Sequence, residues 1–352
     1  MVKLTLEEII AQANQSRASD IHIVCGIPIR IRVDGTLSDL DDNVLTAEDC
    51  EAYGRMLSRR FDDIADIGEQ DLALGFDDGT RCRVNIFRQQ GNVSAAIRIL
   101  NNSIPTTKEL GLPPVVDEFT TLKQGIVLVT GETGSGKSTT IASMLDRINH
   151  TQHKHIITLE DPIEYIYTPD KCIINQREVG SDTRTFADGL SSILREDPDV
   201  ILIGEMRTLT SIETALIAAE TGHLVFATLH TNSAADTIDR IVDVFPAEQQ
   251  GQIRMQLSMC VQAVICQQLV PHISGRGRVL AAEIMVSNGA IRNLIREGKT
   301  PQLQNTIATS ANEGSQLMDN SIISLYRARK ISGDTAIRHA HDREYVKRIT
   351  SF

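Results

Sequence analysis

Eight consecutive residues carry the strongest chemical signal in the chain: Gly131-Glu132-Thr133-Gly134-Ser135-Gly136-Lys137-Ser138, continued by Thr139. A nucleoside triphosphate needs backbone N–H groups that converge on its phosphate oxygens, a cation for the β/γ charge, and a hydroxyl for Mg2+. Gly131, Gly134 and Gly136 let the backbone make the first, Lys137 is the second and Ser138 the third. The expected ligands are therefore ATP and Mg2+. Hydrolysis needs a group that prepares water. In Asp197-Pro198-Asp199-Val200-Ile201-Leu202-Ile203-Gly204-Glu205 an apolar run ends in an acid, about 70 residues after the loop. Glu205 there could orient or deprotonate the attacking water.

A second acidic cluster is Thr158-Leu159-Glu160-Asp161-Pro162-Ile163-Glu164. Glu160, Asp161 and Glu164 could position the nucleophile, and Asp161 and Glu164 could hold Mg2+ through water. His223 and His230 bracket the apolar run Leu224 to Leu229 and flank its two ends. His230, with Thr228 and Thr231, could sense the γ-phosphate, and His223 could brace an interface. Neither has a Cys or a third His nearby, which speaks against zinc.

These residues need a frame to hold them. Gly125 to Thr130 reads as an apolar strand feeding the glycine-rich loop, and a helix follows through about Ile148. The loop thus opens a helix and gains its N-terminal field. His155 to Leu159, Val200 to Ile203 and Leu224 to Thr228 are further short apolar runs between helical stretches such as Leu209 to Thr221. That alternation predicts a mostly parallel sheet covered by helices over residues 115–270. Residues 271–352 read as a polar, helix-rich region with a strand-like Val279 to Met285.

Residues 1–100 read as a separate α+β domain. Thr5 and Glu8 form a capping box for a first helix carrying Leu6, Ile9 and Ile10. Strands are expected at Asp20 to Val24 and at Ile29 to Val33, the second ending at the turn Asp34-Gly35. A polar helix follows at about 46–58. A hairpin is expected from Leu72 to Phe76 and Arg81 to Phe87 around Asp77-Asp78-Gly79, then a strand Val93 to Leu100. Asn101 to Pro114 reads as a linker.

Composition excludes several classes. A net charge of -11 over 352 residues argues against a general nucleic-acid surface, and with no Trp and few aromatics stacking platforms are poor. Six cysteines make no Cys-x-x-Cys pair and no disulfide framework, which suits a reducing cytoplasm. No apolar run reaches membrane-spanning length, so any membrane association is expected to be peripheral and through partners.

Taken together, Gly131 to Thr140, Thr158 to Tyr165, Asp197 to Arg207 and Thr221 to Thr231 resemble the Walker A, Asp box, Walker B and His box of secretion-type ATPases. The chain is most similar, over essentially its whole length, to the type IV pilus retraction motors of the twitching-motility family. The resemblance implies an α/β protein with an N-terminal PAS-like domain and a RecA-like ATPase domain. It implies a homo-hexamer with nucleotide between the domains, and an inner-membrane pilus platform as partner at the cytoplasmic face. It further implies that Arg83 and Arg98 reach the phosphates as permanent, bidentate charges. Ala290 to Glu297 matches the segment that this family associates with retraction; as a helix it places Ala290, Ile291, Leu294 and Ile295 on one face. Pilus-assembly and type II secretion relatives usually carry a four-cysteine module and extra N-terminal sequence, and neither is seen here. The competing readings are an accessory or regulatory pilus ATPase, a nucleotide-gated switch with negligible turnover, and a type II/IV secretion or DNA-transfer ATPase.

Overall fold

The computed structural model describes residues 4–33, 35–64, 68–76, 79–100 and 103–350. Asp34, Asp77, Asp78, Asn101 and Asn102, on which two expected turns and the start of the expected linker fall, lie outside the described residues. The chain forms two compact units, residues 1–103 and 104–352.

The first unit is built on a six-stranded sheet in the order β3-β2-β1-β6-β5-β4. Its strands are β1 (Asp20–Ile23), β2 (Arg30–Val33), β3 (Thr36–Asp39), β4 (Glu69–Gly75), β5 (Arg81–Gln89) and β6 (Asn92–Leu100). Every pairing is antiparallel. The first helix, Leu6–Gln15, starts at Thr5, whose hydroxyl accepts from Glu8 N while Glu8 Oε2 takes the Thr5 N–H at 2.8 Å. A second helix, Ala47–Leu57, begins with the same device at Thr46 and Asp49. Both helices lie over one face of the sheet, where Cys82, Val84 and Ile86 of β5 meet Val93, Ala95 and Ile97 of β6. Period-2 alternation therefore sends Arg83 and Arg98 to the opposite, exposed face. β3 was not foreseen; all four of its residues are exposed, so it carries no apolar signal.

The second unit holds a seven-stranded sheet in the order β13-β12-β7-β11-β10-β8-β9. These are β7 (Gly125–Thr130), β8 (His155–Glu160), β9 (Ile173–Glu178), β10 (Val200–Ile203), β11 (Leu224–Leu229), β12 (Val261–Pro271) and β13 (Arg278–Val286). All neighbours are parallel except β12 and β13. The central strands are buried on both faces, and alternation splits their side chains between two cores. Ile126, Leu128, Ile157, Ile201 and Val225 join one, while Val127, Val129, Ile156, Leu202 and Phe226 join the other. Each such side chain stabilises the fold by roughly 1.5–3 kcal/mol. A sheet covered on both faces leaves its reactive groups only the strand ends and the loops beyond them.

Two expected boundaries shift. Residues 104–114, read as linker, belong to the second unit: Leu112 is buried beside Val116 and Phe119. The strand seen near the start of the helical C-terminal region is β13, which closes the core sheet as its one antiparallel edge. β12 and β9 were not foreseen.

The helix Gly289–Arg296 covers the expected amphipathic segment, with Ile291 and Ile295 buried and Leu294 packed against the same core. Ala290 is exposed rather than on the packed side. Arg292 turns inward instead: its guanidinium donates to the carbonyls of Ser258 (2.9 Å) and Met259 (2.7 Å) and to Gln262 Oε1 (3.1 Å). It thus caps the last turn of the helix Ala247–Cys260, where a cation suits the exposed carbonyls.

Candidate active site

The glycine-rich loop leaves β7 and enters the helix Lys137–Thr151, whose capping residue Gly136 has φ +90°. A side chain at Gly131 (φ +141°) would place its Cβ 2.3 Å from the Gln267 carbonyl and 2.6 Å from Ser135 Oγ. Only glycine lets the loop lie this close to β12. Lys137 is buried, and its ammonium donates to the carbonyls of Gly131 (2.8 Å) and Glu132 (3.0 Å). Burial pulls its pKa below the usual lysine value, against the pull of Glu205 and Glu164 toward the charged form.

A cavity of about 830 Å³ opens beside the loop. Thr133, Gly134, Gly136, Lys137, Ser138 and Thr139 line it from the loop. Glu160 enters from the end of β8, Asp161 and Glu164 from just beyond it, Glu205 from beyond β10 and His230 from beyond β11. Parallel strands make this convergence possible, because their C-terminal ends share one edge of the sheet. Gly204 allows the approach: a Cβ there would lie 2.9 Å from the Leu159 carbonyl and 3.2 Å from Glu160 Cα. The Gly204 carbonyl accepts from the Thr228 hydroxyl, tying the end of β10 to β11.

Within the cavity Glu205 is paired with His230 (Oε1 to Nε2, 3.3 Å) and with Arg207. Glu160 is buried and accepts from the Thr158 hydroxyl at 2.7 Å. Burial pushes its pKa up to about 7 even though the Thr158 hydrogen bond favours the carboxylate. Asp161 and Glu164 are exposed at the rim. Tyr165, just past this cluster, shares a 2.8 Å hydrogen bond with Thr139 on the loop's helix. Ser138, Asp161, Glu164 and Glu205 give a hydroxyl and carboxylates, the hard oxygen donors that Mg2+ prefers. Among the described residues no cluster of three or more His, Cys, Asp or Glu stands as a metal cage in its own right.

His223 is not brought into the cavity. It precedes β11, whereas His230 follows it, so six strand residues separate them along one direction. Its Nδ1 lies 2.9 Å from the Ala218 carbonyl and 3.2 Å from the Thr221 hydroxyl, at the end of the helix Leu209–Glu220. Arg83 and Arg98 sit on the first unit as cross-strand partners of β5 and β6. Like charges directly opposite repel, and Asp20, 3.0 Å from Arg98 Nε, offsets this. Burial tends to raise the Asp20 pKa, but the hydrogen bonds from Ser19 and Arg98 hold it below the usual value. Sequence reading missed Gln267, whose role depends on a strand, β12, that was itself not foreseen; Gln267-Gln268 interrupting an apolar run was the available signal.

A glycine-rich phosphate loop after a buried parallel strand, with an acid beyond the end of β10, one strand removed in the sheet, defines a P-loop nucleoside triphosphatase. The profile of the type II/IV secretion system protein family matches residues 1–340. The chain is 45% identical over 335 residues to the type IV pilus retraction ATPase PilT of Pseudomonas aeruginosa, covering 95% of this chain and 97% of that one. It is 44% identical to a twitching motility protein of Neisseria gonorrhoeae, covering 94% and 88% of the two chains. A crystal structure of the pilus retraction motor PilT with bound ADP superposes with a TM-score of 0.92 at 48% identity, covering 98% of this chain and all of that one. The chain belongs to the type II/IV secretion system protein family and, within it, to the pilus-retraction ATPases. ATP hydrolysis is the reaction of its site.

Proposed function

We propose that the chain drives retraction of a type IV pilus, as a ring-forming, Mg2+-dependent ATPase at the cytoplasmic face of the inner membrane. The observation that carries this is the single cavity where Lys137, Ser138, Glu160, Glu205 and His230 meet. Lys137 and the loop N–H groups hold the β- and γ-phosphates. Ser138 is the hydroxyl that would hold Mg2+, with Asp161 and Glu164 reaching it through water; a bound Mg2+ supplies charge at the phosphate oxygens. Glu205 orients the attacking water and takes its proton, and His230, paired with Glu205, fixes that carboxylate and senses the γ-phosphate. Buried Glu160 holds the nucleophile's surroundings in place. Arg83 and Arg98 are proposed to supply the permanent charges that stabilise the transferred phosphoryl group. The first unit is read as PAS-like and the second as RecA-like.

No helix among the described residues is long and apolar enough to cross a membrane. Contact with the membrane is therefore assigned to a platform protein bound by a homo-hexamer. His223 is assigned to bracing an interface of that ring. ATPase assays on Lys137→Ala and Glu205→Gln test the chemistry, and turnover near wild type in either overturns it. Imaging pili in a deletion strain tests the output. Persistent, non-retracting pili are expected; pili that still retract would make the chain an accessory ATPase.

A further inference from the structure

The phosphate loop rests on β12, and two adjacent residues of that strand face opposite ways. Gln267 is 2% exposed, and its Nε2 donates to the Ser135 carbonyl at 2.8 Å. That bond fixes the amide's orientation, because an oxygen in the same place would face another carbonyl oxygen. The same nitrogen stands 3.2 Å from where a Cβ of Gly136 would be, and the Gln267 carbonyl is the atom that bars a side chain at Gly131. Gln267 therefore touches the loop near both ends. Gln268, pointing away, makes a reciprocal pair with His339: its Nε2 donates to the His339 carbonyl (3.0 Å) and its Oε1 accepts from Nδ1 (3.0 Å). His339 closes the helix Gly333–His339. Ser135, Gln267, Gln268 and His339 all line a second cavity of about 380 Å³ on the β12 side of the loop.

Two buried polar atoms at this place, Gln267 Oε1 and Ser135 Oγ, have no partner among the described residues. Buried polar groups are nearly always paired, so both atoms are open to a partner here.

We propose that Gln267 is a positioning residue for nucleotide binding: it sets the shape of the phosphate loop from beneath, and Gln268 ties that shape to the C-terminal helices through His339. The proposal rests on reading the loop as the ATP site. Gln267 touches no reacting atom, so its loss should weaken binding and leave chemistry largely intact.

The test measures KM and kcat for ATP, the Kd of a fluorescent ATP analogue, and Tm, all on the full chain. Gln267→Met removes the donor to Ser135 at nearly unchanged side-chain length, and Gln267→Leu removes it with a side chain one bond shorter. Each should raise KM and Kd roughly five- to tenfold, the size expected for one buried hydrogen bond, with kcat little changed. His339→Ala and Gln268→Leu should raise KM in the same sense, by roughly two- to threefold. Wild-type KM in both Gln267 variants overturns the proposal. So does a KM rise that tracks a fall in Tm and is reproduced by Met318→Ala, a packing lesion in the same cavity wall. If the Gln267 variants do not fold, His339→Ala decides, and an unchanged KM there overturns the proposal. Wild-type protein that fails to bind the analogue would instead sink the parent reading of the site.

Discussion

β11 carries a histidine at each end, and the two ends live in different worlds. At the C-terminal end His230 meets Glu205 in the cavity. At the N-terminal end His223 turns back onto the carbonyl of Ala218 and secures a helix terminus. The residue type is the same and the strand is the same, though His223 is half-buried and His230 exposed. What separates them is direction. Parallel strands send all their C-terminal ends to one edge, and only there do the glycine-rich loop, Glu160 and Glu205 come within reach of one another. Chemistry in this chain is thus a property of an edge of the sheet, and the opposite edge serves packing.

That contrast can be broken at either edge. The largest effect is expected from Glu205→Gln, which keeps the shape but removes the proposed base at the active edge. Turnover at saturating ATP should fall on the order of 10²–10³-fold, and a fall of less than tenfold would remove Glu205 from the reaction.

Glu160→Gln should act on stability and only in one pH range. Folding raises the Glu160 pKa from 4.5 to about 7. The folded state therefore holds this proton more tightly than the unfolded chain. Its contribution is fully present below about pH 4.5 and is lost as pH rises through about 7. Glutamine has nothing to lose, so the variant's Tm should gain on wild type between pH 5 and pH 8. The gain in stability is on the order of 1–3 kcal/mol, since one pKa unit is worth about 1.4 kcal/mol. Parallel Tm–pH curves for the two proteins would contradict this.

His230→Ala leaves Glu205 paired only with Arg207, and kcat should drop about tenfold with little change in KM. The smallest effect belongs to His223→Ala: turnover measured per chain should stay within about twofold, while losing the bonds at the helix end costs about 1 kcal/mol in urea unfolding. If His223→Ala lowered kcat in a preparation held monomeric as much as His230→Ala does, the contrast between the two edges would fail.

Much of the active edge was legible in the sequence because its parts are contiguous. The loop, the acid after Val200 to Ile203 and the cluster after His155 to Leu159 each stand directly behind a short apolar run, and each run became a strand. The sequence already separates His230, read toward the γ-phosphate, from His223, read toward an interface, and the cavity takes in only the first of the two. β12 was missed because Gln267 and Gln268 break its apolar pattern, and those glutamines break it where they grip the loop and the last helices. β9 was missed because its residues Ile173-Ile174-Asn175-Gln176-Arg177-Glu178 lie at an edge and need little apolar character. The partition of the C-terminal region also depended on pairing: β13 belongs to the core sheet only through its ladder with β12.

The grip of Arg292 has a mechanical meaning. Its guanidinium clasps the last carbonyls of the helix Ala247–Cys260 and the side chain of Gln262, where β12 begins. Farther along the same strand, Gln267 holds the phosphate loop. An extended strand of this length spans roughly 33 Å and stretches little, apart from the irregularity in its pairing with β7 between Val261 and Ala263. β12 is in effect a tie rod, anchored at one end to the helix Gly289–Arg296 and running beneath the loop that holds the nucleotide. Beyond Ala263 the strand has little extension to take up, so a tug on that helix that passes the irregular end would be felt beneath the loop.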